Sequence, residues 1–305
     1  MSEKKNASWK SVVDSFADYL VAERQLSAHT QAGYTADVLR FSEVQTQLGI
    51  YDPFCVEYAH LLAWLENLVK IQRYSTFSVA RATSSVRAFY RFLVLENPNI
   101  SNPTELLESP KLPQYLPALL TVQEIDLMLA TFDIETPLGL RNRAILELLY
   151  ACGLRVSELT NLQLQNFYAA DAWIRVQGKG NKERFVPIGE SARNLVQSYI
   201  QNVRTNQEVK QGSSGILFLN RRGKQLTRNM IFIIVQQASE QAGITKNVGP
   251  HTFRHSFATH LIEGGADLRA VQQLLGHESI TTTEIYLHLD QSYLQEVVRT
   301  FHPRP

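Results

Sequence analysis

Five short segments of this 305-residue chain gather side chains that can act on a charged substrate. They are Gly153-Leu-Arg-Val-Ser-Glu-Leu159, Gly178-Lys-Gly-Asn-Lys-Glu-Arg184, His251-Thr-Phe-Arg-His255, Leu275-Gly-His277 and Thr281-Thr-Thr-Glu-Ile-Tyr286. Taken singly, each has an ordinary structural explanation. Arg155 and Glu158, three residues apart, fit an ion pair at a helix start. Lys179 between two glycines fits a solvated turn; it is no Walker loop, because no glycine lies five residues before Gly178 and no Ser or Thr follows the lysine. A dinucleotide fingerprint fails as well, with Glu183 in the third glycine's place. His251 and His255 have the i, i+4 spacing of zinc ligands, but Thr252 stands where a metalloprotease helix carries its glutamate. Tyr286 fits a core tyrosine with a satisfied hydroxyl.

Scaffolds for these groups can be read from periodicity. Trp9, Val12, Val13, Phe16 and Leu20 follow the i, i+3, i+4, i+7 pattern of a helix with one buried stripe. Thr30 is placed to cap a second helix carrying Tyr34, Val38 and Phe41 and ending near Gly49; third and fourth helices are expected over 56–70 and 75–95. Asn97-Pro-Asn-Ile-Ser-Asn-Pro103 stops the fourth, and three prolines in Ser109-Pro-Lys-Leu-Pro-Gln-Tyr-Leu-Pro117 make a semi-extended linker. The expected division is a helical domain over 1–106, a linker over 107–117 and a second domain over 118–305. In the second domain helices are predicted over 121–131 and 141–151, then a β-hairpin of 172–177 and 183–188, with the remainder mainly helical.

Composition narrows the function classes. A chain that is 44% hydrophobic and 19% charged has material for packed cores and is neither disordered nor collagen-like. No apolar run approaches the ~20 residues of a membrane span, and the N-terminus lacks a signal-peptide core, so a cytoplasmic protein is expected. Cys55 and Cys152 are expected as two buried thiols. The net charge of +1 by itself argues against a nucleic-acid partner, so a DNA reading must rest on local basic patches. Residues 1–110 carry 10 basic against 12 acidic side chains, leaving 20 against 17 for the rest.

Together and in this order, the five segments resemble the tyrosine recombinase (λ-integrase-like) family, whose signature is an arginine, a hairpin lysine, His-x-x-Arg, a histidine and a C-terminal tyrosine. The bacterial Xer group within that family is the most similar. Ser109-Pro-Lys-Leu-Pro113, residues 178–187, Gly265-Ala-Asp-Leu-Arg269, Leu274-Leu-Gly-His277 and the ending His302-Pro-Arg304 look like it, and Leu26-Ser27, Thr30, Tyr34 and Asp37 match more loosely. The resemblance covers nearly the whole chain. It implies a mainly α protein: an N-terminal helical core-binding (SAM-like) bundle, then a mixed α/β catalytic domain with a small antiparallel sheet, the two halves clamping duplex DNA.

The resemblance also assigns roles that each side chain is chemically able to fill. Tyr286 is the nucleophile that makes a 3′-phosphotyrosine. Arg155 and Arg254 hold the non-bridging phosphate oxygens where charge builds. His251 is the base, Lys179 the acid for the leaving 5′ oxygen, and His277 a hydrogen-bond donor to phosphate, while Glu158 orients Arg155 or His251. Neither a metal ion nor another cofactor is expected, nor ATP, because the protein–DNA ester conserves the bond energy. Arg81, Arg87, Arg91, Lys182, Arg184, Arg221, Arg222 and Lys224 are expected among the phosphate contacts. His255, His260 and His288 are expected in packing or helix-end roles, and Phe89, Tyr90 and Phe92 in the core.

The partners implied are a duplex recombination site, a tetrameric synapse made either of this chain alone or together with an XerC-like sister recombinase, and an FtsK-like DNA translocase as activator; no membrane is implied. Chromosome-dimer resolution in the nucleoid is the task expected of the Xer group. A mobile-element integrase uses the same residues, and a type IB topoisomerase has related chemistry. A catalytically silent DNA-binding protein needs only the basic surface. Leu294, Val297, Val298 and Phe301 predict a short amphipathic tail helix that docks either on its own domain or, as in the family it resembles, in the neighbouring protomer.

Overall fold

Sequence spacing becomes helix wherever a cap and an apolar stripe coincide. In the computed structural model, which describes residues 8–24, 28–108, 118–178, 182–276 and 289–304, the chain divides into two compact units, Met1–Tyr115 and Leu116–Pro305. In the first, Ser8 caps α1 (Trp9–Ala22), whose Trp9, Val13, Phe16 and Leu20 are buried along one face. Beside it stand α2 (Ala28–Gln47), α3 (Tyr58–Lys70) and α4 (Thr76–Glu96). Their core is aromatic: Phe41 meets Trp64 edge-on with ring centroids 5.0 Å apart, and Phe16 meets Phe89 likewise at 5.4 Å. Phe89, Tyr90 and Phe92 are all buried there, as expected.

The second unit is built around α6 (Pro137–Ala151), a helix buried on nearly every side, with Leu146, Leu148 and Leu149 all fully covered. It follows α5 (Val122–Ala130), which opens on a reciprocal Thr121/Glu124 cap. After α7 (Val156–Thr160) comes an antiparallel sheet of β1 (Phe167–Tyr168), β2 (Trp173–Gln177) and β3 (Glu183–Pro187) in that order. In the β2–β3 hairpin Trp173 pairs with Pro187 and Gln177 with Glu183. Then come α8 (Glu190–Tyr199), running on into a π-helical turn over Ile200–Arg204, α9 (Arg228–Gln241), α10 (Pro250–Gly264), α11 (Leu268–Leu275) and α12 (Leu289–Phe301). The fold is mainly helical with one small sheet, as the sequence implies. Among the described residues, no helix is long and apolar enough to cross a membrane.

Several sequence expectations need correction. Helix α2 begins two residues before Thr30, which lies inside it and is not its cap. Helix α3 starts at Tyr58, because Val56 is drawn into the core in an extended conformation and Glu57 takes the cap position. Helix α6 starts at Pro137, four residues early: Thr136 caps it and a proline suits the first turn. The two-residue β1 was not expected, being too short to show an alternation. Cys55 is exposed, not buried, since it ends the surface 3₁₀ turn Pro53–Cys55; Cys152 is buried.

The tail helix expected from its apolar spacing is present. In the single chain, α12 packs on β3, α10 and α11 of its own unit, burying Leu294, Val297 and Val298. It is fastened beyond its end by Arg304. Arg304 Nε and Nη2 donate to the two oxygens of Glu147 at 2.6 and 3.0 Å, and Nη1 donates to Asp126 at 2.6 Å. Glu147 is fully buried among the leucines of α6, so an internal partner is required for its charge.

Candidate active site

A glycine in the left-handed region ends α6 and aims the first functional group. Gly153 has φ +55°, and a Cβ there would lie 2.3 Å from the Phe257 ring, so no other residue fits without rearrangement. Its carbonyl accepts a 2.7 Å hydrogen bond from Arg254 Nη1. Two residues on, Arg155 precedes the short α7, and Glu158 in the first turn folds back on it. The Arg155 backbone N–H donates to Glu158 Oε2 at 2.8 Å, and Arg155 Nη1 to Oε1 at 2.9 Å.

Glu158, buried to 1% side-chain exposure, is the hub. Arg184, from β3, forks its carboxylate at 2.6 Å (Nη1 to Oε1) and 3.0 Å (Nη2 to Oε2). Arg254, from α10, stands 4.0 Å from Oε2. Burial alone would raise the Glu158 carboxyl, but hydrogen bonding and charge from Arg184, joined by Arg155, outweigh it and hold the group below the usual carboxylate range. Burial, with the Arg155 charge beside it, lowers Arg254 to about 10, so it remains a cation at neutral pH.

The same three arginines close on the end of α11. Arg184 Nε donates to the Leu274 carbonyl at 3.0 Å, Arg254 Nη2 to Leu275 at 2.6 Å and Arg155 Nη2 to Gly276 at 3.2 Å. These are carbonyls that a helix C-terminus leaves without intrahelical partners, at the negative end of its dipole. Arg155 remains the most accessible of the three, at 34% side-chain exposure against 15% for Arg184 and 12% for Arg254.

Of the expected catalytic residues, the structure thus brings together Arg155 and Arg254, around Glu158, which was expected to orient Arg155 or His251. His251 is exposed in the first turn of α10, three residues before Arg254 and on its face. Lys179, His277 and Tyr286 lie outside the described residues, as does His288. His255 is exposed on α10, while His260 is buried and shares a 2.7 Å hydrogen bond with the Tyr150 hydroxyl, a packing role as expected.

Residues 118–292 match the pattern described as Phage integrase family, and residues 13–97 match Phage integrase, N-terminal SAM-like domain. This chain is a tyrosine recombinase of the phage integrase family. The recombinase is 41% identical over 299 residues to Tyrosine recombinase XerD of Chlorobaculum tepidum, covering 97% of each chain. It is 38% identical to Tyrosine recombinase XerD of Listeria monocytogenes serotype 4b over 96% of this chain and 99% of that one. Its fold is similar to that of XerH site-specific recombinase bound to difH substrate in a pre-cleavage complex: TM-score 0.68 at 20% identity, covering 96% of this chain and 82% of that one.

The basic residues expected at phosphates lie in varied surroundings. In the first unit, Arg87 and Arg91 line one cavity with Arg24, Tyr34 and Ser84, a grouping in which the sequence reading missed Arg24. Arg81 is exposed yet holds buried Asp37 at 3.1 Å, so it also ties α4 to α2. In the second unit, Arg221 and Arg222 rim a cavity floored by Arg141, which donates to the Leu219 carbonyl at 3.0 Å. Lys182 and Lys224 are exposed at turns. Arg184 differs from all of these, its guanidinium facing inward onto Glu158. Strand alternation signals this: Arg184 stands two residues from fully buried Val186, on the same face of β3.

Proposed function

We propose that this recombinase exchanges strands between two DNA sites by metal- and ATP-independent transesterification. The Tyr286 phenol oxygen attacks a backbone phosphorus; the bond from phosphorus to the 5′ oxygen breaks, its electron pair leaves on that oxygen, and a 3′-phosphotyrosine ester forms. His251 takes the phenolic proton and Lys179 supplies one to the 5′ oxygen. Arg155 and Arg254 hold the two non-bridging oxygens, with His277 as a further donor, so the positive charge a metal would bring is already present. Attack by a second 5′ hydroxyl on the ester reverses the step on a new partner, passing through a Holliday junction. Four protomers on two sites perform the exchange, two of them being an XerC-like sister recombinase, under the control of an FtsK-like translocase. The task is resolution of chromosome dimers.

The observation that carries the reading is the pair of forks, Arg155 and Arg254, held around one carboxylate from elements about a hundred residues apart in sequence. Relatives named XerD at 38–41% identity over nearly full length favour the chromosomal task over a mobile element's. A nicked suicide duplex tests the chemistry: wild type gives an SDS-stable adduct in EDTA, and Tyr286→Phe binds the duplex without one. An adduct in Tyr286→Phe, or one mapping to Tyr293, refutes the assignment; loss of cleavage in chelator, restored by Mg²⁺ or Zn²⁺ at constant ionic strength, refutes the metal-free mechanism. A two-site assay with and without the sister protein separates recombination from topoisomerase action.

A further inference from the structure

We propose that Arg184 is a positioning residue for cleavage, acting through Glu158 to hold Arg155 and Arg254 in the geometry that meets the scissile phosphate, and not a DNA contact. The inference rests on the tyrosine-recombinase reading of the site.

The argument is one of saturation. An ionised carboxylate offers about four acceptor positions. Glu158 receives four donors: the Arg155 backbone N–H, Arg155 Nη1 and two from Arg184. Arg254, with Nη1 4.0 Å from Oε2, is left outside hydrogen-bonding range. Without Arg184, two of the four positions open on a buried carboxylate, and the nearest cation able to fill them is Arg254. Recruitment onto Glu158 draws Arg254 from the geometry set by its bonds to the Gly153 and Leu275 carbonyls. Arg155 has the same alternative, a second oxygen for its own fork.

Arg184 is also built into the backbone that frames the site. Its Nε holds the Leu274 carbonyl, and Gly276 turns with φ +64° directly over its stem, where a Cβ would lie 3.0 Å from Arg184 Cδ. One guanidinium therefore joins β3, α7 and the end of α11, the elements against which the other two arginines are aimed. Its Nε and both terminal nitrogens already donate within the protein, to the Leu274 carbonyl and to the two oxygens of Glu158.

Three measurements on a nicked duplex carrying the recombination site test this: the salt dependence of binding, the single-turnover cleavage rate at saturating protein, and the coupling between Arg184 and Glu158. Losing a phosphate contact flattens the slope of log K against log salt by about 0.9, whereas losing a positioning residue leaves the slope unchanged. Arg184→Met is expected to keep the slope and to cleave about ten- to a hundredfold more slowly, as befits misplacement by an ångström or less. In Glu158→Gln, whose amide carries no charge to attract Arg254, the further change Arg184→Met is expected to cost less than about twofold, a non-additive cycle. Arg184→Lys keeps the charge and the fold but loses the planar fork; it too is expected to cleave slowly with an unchanged slope. A flattened slope with normal saturated cleavage, additive losses in the cycle, or full activity in Arg184→Lys would each overturn the role. Wild-type protein that forms no adduct overturns the recombinase reading itself, so the two failures are told apart.

Discussion

At Arg254 burial and neighbouring positive charge act in the same direction, lowering the guanidinium to about 10 while its two terminal nitrogens rest on backbone carbonyls. A group so placed is costly to keep and is well suited to a charge that appears only during reaction. By analogy with loss of an oxyanion donor, Arg254→Ala removes about 2.7–4 kcal/mol of transition-state stabilisation and slows single-turnover cleavage at least about a hundredfold. Binding of the intact site changes far less; collapse of binding with near-normal saturated cleavage would make Arg254 an anchor and not a catalyst. The cysteines give a second residue-scale prediction. Burial pushes the Cys152 thiol well up, and its sulfur faces the Pro187 carbonyl, while Cys55 is exposed. A maleimide or disulfide reagent should therefore label Cys55 alone in the native protein, and labelling at Cys152 without prior unfolding would contradict the packing.

Among the elements, the docked tail carries a pH dependence of its own. His302, just past α12, is buried between the Tyr150 and Phe257 rings at centroid distances of 4.7 and 5.3 Å, with His260 and Arg304 as its ionisable neighbours. Burial pushes this imidazole down to about 4, against an unfolded value of about 6.5. As pH falls the unfolded chain takes up the proton first, so the docking is at full strength above about pH 6.5 and weakens down to about 4. The loss amounts to about 3 kcal/mol at the acid end. Thermal unfolding of the second unit at pH 7 and at pH 4.5 measures it. Wild type should lose more stability than His302→Leu over that interval, and equal losses would show that the imidazole is not the titrating group. Arg304→Ala should lower stability at both pH values, because it leaves the Glu147 charge buried without its fork.

For the whole molecule, two units mean two cores. Phe41 and Trp64 belong to one cluster and Leu148 and Phe257 to the other, each formed within its own unit. Phe41→Ala should cost the first unit about 3–5 kcal/mol. Its calorimetric transition should move down while that of the second unit, followed separately, stays in place. A shift of both transitions together would show that the units unfold as one body.

The sequence by itself determined what is local. Periodicity located α1, α4 and the hairpin, because a stripe at 3.6 residues or an alternation at two is a property of the backbone that carries it. The order of five reactive segments pointed to the family. Partnerships between charges were left to the tertiary structure, since an arginine looks the same in sequence whether it meets a phosphate or a carboxylate. Arg184 was expected at DNA and lies on Glu158, 26 residues away in sequence. Arg304 reaches Glu147 across 157 residues, a pairing that no spacing rule encodes. Both follow from one physical condition met only in three dimensions: a carboxylate enclosed by apolar packing must find its cation wherever the fold brings one within reach.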